Sequence, residues 1–290
     1  MNNTKSKTNS GIVEKKWTVG KTIMFVVLLL YSLSFVFVIG WAFLTTMKTK
    51  IEYLYSAVAL PNKISFENYM KAFVELEASG KGMFTMLYNS LWLSILPPTI
   101  NLLTAAMASY VMAQYKFPGR DLIWTIMVVM MVLPILGTSA ANYKLVLATG
   151  MYNSPLFLLK SITGLGGSMF LIASFKGVSK TYKEAAFLEG AGHFRIFFQI
   201  MLPQITATLT ALWIMQFIEK WNDSMTAIMY LPDYTPISTG IYIYQKETER
   251  KINIPILFSA ALMVIIPPLS LFAFFQDKFM ALSFGGGLKG

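Results

Sequence analysis

The sequence predicts an all-α polytopic membrane protein with six transmembrane helices, and two observations carry that reading. Of its 290 residues, 55% are hydrophobic and only 13% charged, with a mean hydropathy of +0.56. A soluble domain carries about 25% charged residues, so the chain is short of surface charge by roughly half. The charges it has are also separated by long uncharged runs, the first of them 26 residues between Lys21 and Lys48, where a helix needs roughly 20 to cross the hydrocarbon. Zero cysteines exclude disulfides, iron–sulfur clusters and thiol chemistry. The net charge of +10 is spread along the chain rather than gathered in one stripe. Attraction of lysines to anionic lipid accounts for it better than nucleic acid, and no nucleic-acid partner is expected.

The elements follow in order. Residues 1–21 carry Lys5, Lys7, Lys15, Lys16 and Lys21 against the single acid Glu14, like the basic region of a signal peptide. The apolar run behind them is too long for a signal and lacks a small-residue cleavage site, so about 22–46 reads as a retained first span. The mixed-charge segment 48–82, with Pro61, Asn62, Gly80 and Gly82, forms a small external subdomain that completes the 22–84 unit. A five-helix core occupies 85–275. Its first span, about 85–113, contains Pro97-Pro98, where a kink buried in protein is expected because neighbouring helices must re-satisfy the freed carbonyls. The turn Gln114 to Arg120 leads to a third span at about 121–141. The fourth, about 156–177, is interrupted by Lys160, which can snorkel to the outer interface. It is interrupted again by Gly164, Gly166 and Gly167, which with Ser168 allow close helix approach. The insert 179–203 precedes a fifth span at 204–229 and a sixth at 252–275, and a tail occupies 276–290. Six spans put both termini on one side, and the slight excess of Lys and Arg there makes that side cytoplasmic.

The insert is the most informative stretch. It reads Glu184-Ala185-Ala186, three residues, Gly190, nine residues, Ile200, one residue, Leu202-Pro203. Lys180 to Leu188 has good helix formers, and Ser179 can cap its start. Ala185 and Ala186 let another surface approach the backbone, while Glu184 and Glu189 offer carboxylates to arginine or lysine on a partner. Gly190 and Gly192 permit a chain reversal. Phe194, Ile196, Phe197, Phe198 and Ile200 anchor a second helical segment, and Pro203 suits the first turn of the fifth span. On composition alone, an amphipathic loop that merely joins two spans is an equal alternative to a docking knob.

That spacing resembles, without a gap, the EAA loop of the membrane subunits of binding-protein-dependent ABC importers, where the loop is a coupling helix seated in the ATP-binding subunit. Asn89-Ser90-Leu91, Phe117-Pro118-Gly119-Arg120, Trp221-Asn222 and Leu288-Lys289-Gly290 are similar to the carbohydrate branch, in particular the shorter permease of the maltose-type pair. Glu189 and Gly192 depart from the pattern, which more often has aspartate, and serine or asparagine. The resemblance implies a type I ABC importer permease fold in a bacterial-type cytoplasmic membrane. It implies ATPase coupling through Glu184, Ala185, Ala186, Glu189, Gly190, Leu202 and Pro203. The partners it implies are a second permease subunit, an ABC ATPase dimer and an extracytoplasmic solute-binding protein. It also implies that the tail from Gly285 to Gly290 reaches into the ATPase dimer. ATP and Mg would reside on the ATPase, with no cofactor on this chain. The absence of a Gly-x4-Gly-Lys-[Ser/Thr] sequence agrees, because without it no P-loop can form.

The substrate pathway is read from the fifth span. Ionisable groups inside a span mark functional sites by default, and Gln216, Glu219, Lys220 and Asp223 fall on one helical face. Glu219 or Asp223 is expected to pair with Lys220. Asn222 suits hydroxyls, and Trp213 or Trp221 can stack on a sugar ring. An internal salt bridge without sugar contact is the plainer alternative. In the expected external loop Tyr230 to Asn253, the resemblance implies contact with the solute-binding protein, for which Tyr242 and Tyr244 are suited. His193, the only histidine, cannot build a metal site and reads as a surface residue. No nucleophile–base pair is evident, so the chain is not expected to be an enzyme. The rival reading is an ion-gradient-driven secondary transporter with Glu219, Lys220 and Asp223 as the relay, disfavoured by the coupling-type insert and the lack of an inverted repeat.

Overall fold

The computed structural model describes residues 19–132, 137–163, 167–246 and 253–285. The basic segment 1–18, Gly164, Gly166, most of the charged run 246–251 and the tail 286–290 lie outside the described residues.

Helix α1 (Val19–Thr46) buries nothing before Ala42. Its apolar flank faces outward because hydrocarbon is its solvent, and a helix satisfies every backbone group internally, as that setting demands. Only its end meets the rest of the fold, with Trp41 edge-on to Phe258 at 5.5 Å. The small subdomain follows. Helix α2 (Lys50–Tyr55) starts on a reciprocal capping box between Thr49 and Glu52. After α3 (Glu67–Glu75) comes a hairpin of β1 (Glu77–Ala78) and β2 (Lys81–Gly82). Its two turn residues, Ser79 (φ 54°) and Gly80 (φ 71°), are both left-handed, as a two-residue hairpin loop requires. Lys48, 1% exposed, locks this unit by donating to the Ser56 and Ala57 carbonyls at 3.0 and 2.8 Å.

The central element is α4 (Met83–Gln114), about 48 Å long at 1.5 Å per residue. It stays helical through Pro97 and Pro98, which deprive the carbonyls of Leu93 and Ser94 of their donors. The Asn89-Ser90 pair has a structural role. The Asn89 amide donates to the Thr235 carbonyl at 3.1 Å, and Ser90 Oγ accepts from the Ile237 N–H at 2.8 Å, joining α4 to a segment far along the chain.

The third to fifth expected spans are not continuous helices. In the third, α5 (Arg120–Val132) and α6 (Ser139–Ala148) stand on either side of Gly137, which is left-handed at φ 78°. The fourth is a 3-10 stretch, Pro155–Thr163, followed by α7 (Ser168–Gly177). Gly167 (φ 77°) approaches Leu212 so closely that a Cβ on it would sit 2.8 Å from that side chain. Next come α8 (Lys180–Leu188), α9 (His193–Arg195), a π-helical stretch Ile196–Met201 and α10 (Leu202–Gln204). They lead into α11 (Thr206–Trp221), α12 (Met225–Tyr230), a 3-10 turn at Pro232–Tyr234, α13 (Ile237–Lys246) and α14 (Ile254–Gly285).

Among the described residues, three helices are long and apolar enough to cross a membrane: Val19–Thr46, Met83–Gln114 and Ile254–Gln276. A fourth candidate is the pair His193–Gln204 and Thr206–Trp221, bent by 80°. Hydropathy alone registers apolar length and is blind to breaks. Broken backbone at membrane depth is tolerated only where protein or a cavity covers it.

Two further expectations are corrected. Pro203 does not open α11; it sits in α10 at the elbow, upstream of Thr206. There the chain runs in π register, with the Leu202 N–H donating to the Phe197 carbonyl, so the N–H that proline lacks is absorbed by the irregular turn. The expected external loop 230–253 is largely helix α13. Its buried Ile237, Gly240 and Tyr244 recur at helical spacing, a period present in the sequence but overlooked among its polar residues.

Two buried clusters organise the bundle about α4. Phe175, Ile196, Phe197 and Met201 close one end around Tyr110. Met83, Met86, Phe217, Trp221 and Ile256 fill the other, beneath α3, α13 and α14.

Candidate functional site

Two arrangements stand out, a helical peg and a cavity with charged side chains in one wall. The peg is α8. Ser179 Oγ accepts from the Thr181 N–H at 3.3 Å and caps its start. At its end the Gly190 N–H donates to the Phe187 carbonyl (3.0 Å) and the Ala191 N–H to that of Ala186 (2.9 Å). This pair defines a Schellman motif with Gly190 at the left-handed position, φ 81°. Gly192, at φ −72°, uses none of its freedom, so the reversal depends on Gly190 alone. The two alanines point in opposite senses: Ala186 is 5% exposed within the Tyr110 cluster, whereas Ala185 is on the outer side. Glu184, Glu189, Gly190 and Leu188 (91% exposed) share that outer surface.

The peg is riveted to α4. Lys183 Nζ donates to the Gln114 carbonyl at 3.0 Å and stands 4.2 Å from the centre of the Tyr115 ring. His193 is exposed yet held, with Nδ1 3.0 Å from the Tyr115 hydroxyl and its ring 4.8 Å from that of Phe187. Leu202 is half-buried against the same cluster, and Pro203 is exposed at the elbow. These contacts join α8 to the end of α4 and, through the Ile196–Met201 stretch, to the elbow before α11.

The cavity, about 380 Å³, lies between the middle of α4, the Pro155–Thr163 stretch and the end of α11. Gln216, Glu219, Lys220 and Asp223 all line it. Lys220 Nζ lies 3.3 Å from Glu219 and 3.6 Å from Asp223. Because these groups are partly solvated, the pairs contribute at most about 1 kcal/mol and serve chiefly to set the polarity of the wall. Asp223 also accepts from the Thr226 N–H at 3.0 Å. Trp221 and Asn222 are not in the lining. Trp221 is 2% exposed, stacked on Phe217 at 5.6 Å and donating to the Val264 carbonyl at 3.1 Å. Asn222 is exposed and turned back on the Ile218 carbonyl at 2.8 Å.

Sequence reasoning missed other wall residues. Lys160, expected to snorkel outward, instead lines the cavity, 5.0 Å from the centre of the Tyr230 ring and 5.5 Å from that of Phe157. Asn101 also lines it, its amide held by the Ser161 carbonyl at 3.1 Å. An intramembrane lysine was the available signal for the first; a lone asparagine in an apolar span was the signal for the second. The wall thus combines carboxylates, ammonium groups and aromatic faces in a cavity of ligand size. Of the two expected contact tyrosines, Tyr244 is buried, its hydroxyl accepting from the Asn253 N–H at 3.4 Å. Tyr242 is half-buried, with Lys246 Nζ over its ring at 5.7 Å.

A bundle of long and broken helices, with a partly charged cavity and a peg bonded to α4, is the architecture of a polytopic membrane protein. Residues 100–280 match the family described as "Binding-protein-dependent transport system inner membrane component". The chain belongs to that family. It is 28% identical over 256 residues to the diacetylchitobiose uptake system permease protein NgcG of Streptomyces coelicolor, covering 87% of this chain and 83% of the relative. It is 26% identical to the arabinooligosaccharides transport system permease protein AraQ of Halalkalibacterium halodurans, covering 89% and 97% respectively. A crystal structure of a bacterial ABC transporter involved in import of the acidic polysaccharide alginate has a chain of the same fold. Its TM-score is 0.77 at 16% identity, covering 90% of this chain and 98% of that one.

Proposed function

We propose that this chain is a permease subunit of an ATP-driven sugar importer, forming half of the translocation pathway and engaging a separate ATPase through residues 184–203. Sugar as the cargo is supported by the relatives, whose names concern diacetylchitobiose and arabinooligosaccharides. The observation that carries the coupling role is the peg: a capped helix with Glu184, Ala185, Leu188 and Glu189 outward, bonded through Lys183 to the end of the central helix. ATP and Mg would be bound by the ATPase dimer. Closure of that dimer would draw this peg toward its counterpart on a second permease and tilt α4 and α11, opening the cavity toward a loaded solute-binding protein. The transition is driven by the higher affinity of ATP for the closed state. Six crossings with both termini cytoplasmic belong to this reading, the third to fifth being broken ones. Gln216, Glu219 and Asp223 would meet the solute. Trp221 and Asn222 would act by holding the α11 end in place, and Tyr242 would touch the binding protein, with Tyr244 as its buried support.

The test is uptake by proteoliposomes containing the complete importer with wild-type or Glu184→Lys chain. Loss of solute-stimulated ATP hydrolysis with normal membrane insertion is expected. Uncoupler-sensitive uptake by the chain alone would establish the secondary-transporter reading instead.

A further inference from the structure

We propose that the chain holds an anionic phospholipid at the end of the bundle that carries the peg, its phosphate headgroup in a basic cleft and an acyl chain in the adjoining apolar groove. The cleft, about 270 Å³, is lined by Gln114, Tyr115, Lys116, Arg120, Lys176 and Lys180. It is thus formed where α4 and α7 end and α5 and α8 begin. No carboxylate lines it, and none of these four cations forms an ion pair with a carboxylate among the described residues.

The cations are not placed for the benefit of their own helices. Arg120 is the first residue of α5 and Lys180 the first of α8, where the helix dipole disfavours positive charge and favours an anion. Arg120 uses its Nε on the Met112 carbonyl at 2.9 Å, which fixes the guanidinium and leaves its other N–H donors for a ligand. Lys176 is steadied over the Trp124 ring at 4.9 Å.

A second observation indicates what the anion carries. Gln114 is 7% exposed, and its amide nitrogen donates to the Phe175 carbonyl at 2.7 Å. That bond leaves its carbonyl oxygen buried and without a hydrogen-bond partner. That oxygen is closed to solvent as it stands, so a ligand hydroxyl reaches it only with a small rotation of the Gln114 side chain, and an anion that also carries hydroxyls is then favoured. A glycerol headgroup supplies both.

A third observation separates a lipid from a free anion. The cleft shares Tyr115 and Lys116 with a groove of about 460 Å³ lined by Met107, Tyr110, Val111, Phe117, Phe194 and Phe197. Phe194 is 76% exposed and Val111 44% exposed in that groove. A basic headgroup site continuous with an apolar channel, where apolar segments reach their polar ends, matches a phospholipid and gives a free phosphate nothing to use.

The experiment is native mass spectrometry of the full chain purified and delipidated in mild detergent. The probes are dioleoyl phosphatidylglycerol, dioleoyl phosphatidylcholine and inorganic phosphate. Wild type should retain phosphatidylglycerol in preference to phosphatidylcholine. The Lys116→Gln/Lys176→Gln variant should lose that preference by a factor on the order of thirty, from two lysines removed near a lipid surface. Val111→Asn, polar but uncharged, should weaken the lipid while leaving phosphate unaffected, so the inference stays testable even if the lysine variant misfolds. A Lys63→Gln/Lys81→Gln control, altered in the distant subdomain, should behave as wild type. Equal retention of the two lipids, an equal loss in the control, or phosphate binding as tightly as phosphatidylglycerol would each overturn it. So would a lysine variant that keeps its lipid but no longer co-purifies with the ATPase, since the cleft would then be a protein-docking surface.

Discussion

Gly190 offers the sharpest perturbation of the peg. Its φ of 81° costs an L-residue about 1–2 kcal/mol. A Cβ added there meets nothing within 4 Å, so Gly190→Ala imposes only this backbone term. That corresponds to roughly a 5–30-fold shift toward a frayed end of α8. Gly190→Pro does more. Proline is fixed near φ −65° and has no N–H, so the bond to the Phe187 carbonyl is lost and the Ala191 to Ala186 bond cannot form in its present geometry. Two lost hydrogen bonds at about 1 kcal/mol each, added to the backbone term, give about 3–4 kcal/mol confined to this turn. The distant cluster under α13 and α14 is untouched, so insertion and yield should match wild type. The assay is solute-stimulated ATP hydrolysis by the reconstituted importer. Alanine should leave a reduced but measurable stimulation, and proline should abolish it. Wild-type stimulation from Gly190→Pro, with the variant inserted normally, would refute the claim that a fixed α8 end transmits force.

Three further outcomes are expected. Lys48→Met removes a buried charged donor from the Ser56 and Ala57 carbonyls and should lower stability by about 2–3 kcal/mol, read as a fall in the thermal unfolding midpoint in detergent. Ser90→Ala orphans the buried Ile237 N–H and should cost about 1–3 kcal/mol in the same measurement, with proteolysis between α12 and α13 accelerated. Asp223→Ala removes both the acceptor for Thr226 and one partner of Lys220 in the cavity wall. It should raise the KM for uptake severalfold while membrane insertion is unchanged, and an unaltered KM would remove Asp223 from the pathway.

How far the site was legible is clearest on α11. Period alone places Gln216, Glu219, Lys220 and Asp223 on one face, and those four do line the cavity. The same helix carries Trp213, Phe217 and Trp221 at i, i+4 and i+8, stacked at 5.5 and 5.6 Å. Reading Trp221 as a sugar platform overlooked that this ladder is the packing face against α14. Tyr244 misled for a similar reason: among polar neighbours it looks exposed, but helical spacing from Ile237 and Gly240 turns it inward.

The sequence by itself determined the membrane setting, the capped helix at 180–188 with its glycine stop, and the polar face of α11. Each of these depends on local composition or on one helical period. Only the tertiary structure decided that the third to fifth apolar segments are broken, that Ala186 faces in while Ala185 faces out, and that Lys160 and Asn101 turn toward the cavity. Those outcomes are fixed by which neighbour covers a given turn of helix, and residues that meet there are separated by tens of positions along the chain.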